Sequence, residues 1–168
     1  MLSAMRCAVV VDAAALLAVG ALHASWALGS PWPAPDMTTL ARRVVGGDEM
    51  PPPPLTAGVA VLLGGAAGAL LVREGVLGEP VARLASRPGL RRLVIAGCLA
   101  TAGALLGRVI GGLVAHARVV DPGTAEFGSS DMRVYAPMCL ALGAVAAMAL
   151  RPQRPPGAAP AARRLPAC

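Results

Sequence analysis

The chain has 168 residues, of which 56% are apolar, 2% aromatic and 14% charged; its formal charge is +6 and its mean hydropathy +0.65. Soluble domains carry about 25% charged residues, so there is too little polar surface here to coat a globule in water. The longest segment between its apolar runs is 25 residues, well short of the ~50 a folded domain needs; this excludes a soluble enzyme, a nucleotide-binding α/β domain and a tethered extramembrane module.

The first run, Ala8–Gly29, is broken only by Asp12 and His23. It is long for a cleavable signal peptide, and Trp26, Pro31 and Pro33 crowd any cleavage point, so it reads as a span. Asp12, near the inner end, is expected to reach headgroup water or a loop arginine. Asp36 is placed to cap a short surface helix with Met37, Leu40 and Val44 on one face and Gly46 and Gly47 at its end. Pro51–Pro54 then give a stiff polyproline approach to the second run, Leu55–Val72, which contains no ionisable group. Pro80 can start another short interfacial helix. The third run, Leu93–Ala115, carries Arg108, and the last, Tyr135–Leu150, extends backwards towards Asp131. Residues 151–168 are rich in Pro and Ala, hold four arginines and have no apolar periodicity; they are expected to be disordered and to rest on anionic lipid.

Helices of ~18–23 residues rise ~27–35 Å, enough for the hydrocarbon core. No run alternates with period two, which speaks against membrane strands. The predicted fold is therefore an all-α membrane protein, a four-transmembrane-helix bundle with spans at about 8–29, 55–72, 93–115 and 132–150. All 15 basic residues are arginine. With the N-terminus cytoplasmic, the inner segments hold Arg6, Arg73, Arg83, Arg87, Arg91, Arg92, Arg151, Arg154, Arg163 and Arg164, and the outer ones only Arg42, Arg43, Arg118 and Arg133. That asymmetry predicts both termini in the cytoplasm. The Ala/Gly/Arg/Pro-rich, lysine-free composition looks like GC-rich coding, and the expected location is a bacterial plasma membrane. No aromatic residues are interleaved with the arginines for stacking on bases, so nucleic acid is not an expected partner.

The cysteines, Cys7, Cys98, Cys139 and Cys168, lack any C-x-x-C spacing and read as small packing residues. Ile95-Ala96-Gly97-Cys98 imitates a lipoprotein cleavage box but lies far from the N-terminus. Gly64 and Gly68, and Gly103, Gly107 and Gly111, recur at helix-packing spacing. Packing within one subunit is the favoured reading; contact with a second copy or a partner membrane protein stays open.

The intramembrane polar residues gather at one depth. His23, Arg108 and Tyr135 sit in the outer third of three spans, with Asp131 one turn before Tyr135 and Trp26 one turn above His23. An arginine inside a span needs a partner or must snorkel, and Asp131 is the acid that can descend to Arg108. Such a pair is either a clamp between helices or a working site. The plainer readings of the others are a helix–helix hydrogen bond for His23, against a proton carrier, and interfacial belt positions for Trp26, Trp32 and Tyr135. Pro137 either begins the last helix or kinks it, and this decides whether Asp131 is helical.

The run His23-Ala24-Ser25-Trp26-Ala27-Leu28-Gly29, the stretch Leu106-Gly107-Arg108-Val109-Ile110-Gly111, and Phe127, Asp131, Tyr135, Ala136, Pro137, Met138 and Cys139 resemble a bacterial membrane family catalogued as a domain of unknown function, number 3995. The resemblance spans roughly residues 10–150 and implies a compact four-span bundle, with no activity, substrate or cofactor. The residues themselves show no nucleophile elbow, phosphate-binding loop or His-Glu-x-x-His helix, and no cofactor or metal is expected. The expected function is structural or accessory, or binding of an outer-leaflet ligand by His23, Trp26, Arg108, Asp131 and Tyr135. A small solute or proton-linked transporter is the alternative, ahead of a membrane-embedded enzyme.

Overall fold

The computed structural model describes residues 2–117, 128 and 131–151. Helices α1 (Leu2–Ala27), α2 (Met37–Val44), α3 (Pro53–Arg73), α4 (Glu79–Ala85) and α5 (Pro88–Ala117) are followed by a π turn, Asp131–Tyr135, that runs directly into α6 (Ala136–Ala149). Arg118, Asp121, Glu126, Phe127 and the tail beyond Arg151 lie outside the described residues.

Local chemistry sets the ends of these elements. Asp36 caps α2: its Oδ1 accepts from the Thr39 backbone N–H at 2.8 Å and its Oδ2 from the Thr39 hydroxyl at 2.8 Å. Gly46 closes α2 in a left-handed conformation (φ +84°), its N–H returning to the Ala41 carbonyl. Two prolines open α3, where the missing N–H would have had no helical partner in any case. Gly75 (φ +66°) lets the Val76 N–H reach back to Leu71 and end it.

Four segments, Ala4–Ala27, Pro53–Arg73, Pro88–Val114 and Asp131–Ala149, are long and apolar enough to cross a membrane. Helix α1 packs chiefly on α3, and α5 on α6, with α3 meeting α5 between the two pairs. Each of these neighbours runs antiparallel. Gly20 of α1 faces Ala60 and Leu63 of α3, Gly97 of α5 faces Ala69, and Gly143 of α6 faces Leu105 and Leu106. One end of the molecule therefore carries α2, together with the close of α1 and α5 and the start of α3 and the π turn. The other carries α4. There the Arg73 guanidinium donates to the Ala149 and Arg151 carbonyls, each at 3.2 Å, and satisfies the C-terminus of α6.

The core is narrow. It joins Val9, Ala13 and Leu16 of α1 with Ala67 and Leu70, Cys98 and Ala102, and Ala146 and Ala149. Valines and leucines also point outwards: Val11 is 69% exposed, Val61 75%, Leu62 73% and Leu93 69%. A surface of this kind suits hydrocarbon rather than water and fits a multi-pass membrane protein.

Two expectations need correction. Gly64, Gly68, Gly103, Gly107 and Gly111 do not mediate packing within the subunit. Among the described residues nothing lies within 4 Å of where their Cβ atoms would be. The close approaches use Gly20, Gly97, Gly112 and Gly143 instead, because burial is decided by which face the helix turns inwards and not by spacing alone. Asp12 likewise does not reach water or an arginine. It is 2% exposed, and among the described residues neither carboxylate oxygen has a hydrogen-bond partner. It shares the inward face of α1 with Val9, Ala13 and Leu16, at helical spacing.

Candidate functional site

Arg108 and Asp131 meet. Arg108 Nη2 lies 2.5 Å from Asp131 Oδ1 and Nη1 3.4 Å from Oδ2, a two-pronged, charge-assisted contact from α5 to the head of the fourth span. Burial is unequal: the Asp131 side chain is 8% exposed and that of Arg108 41%. The acid is thus taken out of solvent while the guanidinium keeps one side open, the manner of a side chain that snorkels along its helix.

Local structure sets up the contact. Asp131 is helical, so Pro137 does not begin the last helical run but lies inside it, between Asp131 and Ala149. Proline has no N–H to offer the carbonyl of Arg133, four residues back, and its ring crowds that carbonyl. A wide π turn over Asp131–Tyr135 relieves the crowding and places Asp131 against α5. On the α5 side, Gly112 makes the room. A Cβ there would lie 2.9 Å from Asp131 Oδ2 and 3.2 Å from Arg108 Nη1. Gly112 escaped the sequence reading, although it stands four residues after Arg108 and hence on the same helical face.

His23, Trp26 and Tyr135 do not close around this pair. His23 Nδ1 lies 2.8 Å from the Val19 carbonyl of its own helix, and its ring packs on Trp26 at a centroid separation of 4.8 Å, tilted by 49°. The Trp26 indole N–H donates to the Trp32 carbonyl at 2.8 Å and ties the end of α1 to the turn that follows. Tyr135 shares the π turn with Asp131, but among the described residues no hydrogen bond engages its hydroxyl. The five residues thus divide into an ion pair between α5 and the π turn, a His–Trp contact within α1, and a half-buried tyrosine.

The two buried threonines satisfy themselves on backbone. The Thr101 hydroxyl donates to Gly97 at 2.8 Å and that of Thr56 to Pro51 at 3.3 Å. Among the described residues, no three histidine, cysteine or acidic side chains gather as a metal site. A shallow groove lies at the α4 end, lined by Arg6, Cys7, Val10, Val11, Gly75 and Val76, well away from the ion pair.

No curated protein and no solved structure matches the chain. A family model does: residues 16–146 match the model described as protein of unknown function (DUF3995). The chain belongs to that family. The match takes in His23, Trp26, Arg108, Gly112, Asp131 and Tyr135, and begins beyond Asp12.

Proposed function

We propose that this chain is a structural or accessory protein of the bacterial plasma membrane, a four-helix bundle with both ends in the cytoplasm and α2 on the outer surface. The observation that carries this reading is the Arg108–Asp131 fork. It fastens the third span to the fourth where α5 and α6 are joined by a long connection, and a hydrogen bond to a charged group contributes about 1.5–3 kcal/mol, less where one partner is exposed. The arginine asymmetry of the sequence supports the orientation. The Arg108 side chain is 41% exposed in the outer third of its span, and this supports binding of an outer-leaflet ligand as a second reading.

Topology is the first test. With the native cysteines replaced, Thr38→Cys in α2 should react with a membrane-impermeant maleimide on intact cells, and Ser86→Cys, just after α4, only once the cells are permeabilised. The opposite pattern would place α2 in the cytoplasm and remove the outer-leaflet site.

A further inference from the structure

Asp12 has no role in the brace, and the family match begins after it. From the start of the first apolar span at Ala4 it lies eight residues, ~12 Å, along the helix axis. It is 2% exposed, and among the described residues both carboxylate oxygens are buried without a hydrogen bond. Its neighbours on the inward face of α1 belong to the cluster that joins α1 to α3, α5 and α6: Val9, Ala13, Leu16, Ala67, Leu70 and Cys98.

Among the described residues, α3 brings Arg73 and Glu74 to this end, α5 brings Cys98 and the exposed Arg91 and Arg92, and Arg151 follows α6. Arg73 donates to the Ala149 and Arg151 carbonyls, and none of these six groups forms a hydrogen bond or ion pair with Asp12. The α1 face with Cys7, Val10 and Val11 lines the groove at this end, whereas Asp12 lies on the core face with Val9 and Ala13. Cys7 and Arg6 are thus turned away from it.

A carboxylate sealed among aliphatic side chains, with no cation and no donor, neutralises rather than stays charged. A metal cation is a poor occupant, because it needs several oxygen ligands and Asp12 would be alone in supplying them. The hydrogen ion needs one. We propose that Asp12 is a proton-binding site, held as the neutral acid at the junction of the four spanning helices, and that release of its proton is coupled to parting of α1 from that junction. Protonated, the side chain packs among its neighbours; once ionised it must gain water or a cation, and in this packing only movement of α1 can admit either. The site is therefore suited to proton-linked control of how α1 seats on α3 and α6, independently of the Arg108–Asp131 pair.

Two measurements on the full chain in nanodiscs decide it. Infrared difference spectroscopy of wild type minus Asp12→Asn at neutral pH should show a protonated-carboxyl band that moves on exchange into D2O. Dicyclohexylcarbodiimide, which partitions into lipid, should add intact to Asp12 as an acylurea with no atoms lost; the adduct should be absent from Asp12→Asn and several-fold weaker with a water-soluble carbodiimide. Should Asp12→Asn fail to fold, aspartate-labelled wild type and mapping of the adduct by fragmentation answer the same question on the unmutated protein. An ionised-carboxylate band for Asp12, or an adduct that maps elsewhere, overturns the assignment.

Discussion

The two buried aspartates among the described residues, one towards each end, meet the same low-dielectric problem in opposite ways. Asp131 at the α2 end is 6% exposed and holds the Arg108 guanidinium; Asp12 towards the α4 end is 2% exposed and has no hydrogen-bond partner among the described residues. Depth alone does not separate them, and neither does burial. What separates them is the neighbouring helix. Opposite Asp131, α5 offers an arginine and, at Gly112, the space for it; the cluster that shares the inward face of α1 with Asp12 brings alanine, leucine and cysteine from the other helices. A buried charge persists where geometry supplies a counter-charge, and where it does not the group takes up a proton.

The comparison can be broken most forcefully at the glycine. Gly112→Val puts a branched side chain where a Cβ alone would stand 2.9 Å from Asp131 Oδ2. It should cost ~1–3 kcal/mol of stability in detergent or nanodisc melts. Gly107→Val, one turn away on a face with nothing within 4 Å, should change stability by no more than ~0.5 kcal/mol. Equal losses at both positions would mean that Gly112 does not hold the pair's space.

A smaller effect at a third aspartate sharpens the contrast, since Asp36 sits in water. There the Thr39 backbone N–H, and after it the Thr39 hydroxyl, hold the carboxyl below its usual value of 3.8. Because the folded value is lowered, the stabilisation of α2 is complete above pH 3.8 and is lost as pH falls through the folded value. The Thr39 amide should therefore shift and exchange faster on acidification below that pH, while Asp36→Asn should show no such acid step. A Thr39 amide indifferent to acid would rule out the cap.

Much of this architecture was legible in the sequence because lipid imposes simple rules. Apolar runs of bilayer length correspond to the four long helices, Asp36 and Gly46 bound α2, and the acid expected to descend to Arg108 is the one that pairs with it. The azimuth of each helix was not legible. In spans made almost entirely of Ala, Gly, Leu and Val, no amphipathic stripe marks the inward face. For that reason the glycine contacts fell on Gly97, Gly112 and Gly143 and not on Gly103 or Gly107, and Asp12 turned out to face the core. His23 was out of reach for the same reason: its position fixes its depth but not that its ring would stay with Val19 and Trp26.

The brace itself is best tested by a double-mutant cycle on thermal or denaturant unfolding in nanodiscs, using Arg108→Gln, Asp131→Asn and the two together. A direct pair predicts a coupling energy of ~1–3 kcal/mol, so that the double variant loses little more than either single one. Losses that add to within ~0.5 kcal/mol would show that the two side chains act independently, and the clamp between the third and fourth spans would have to be abandoned.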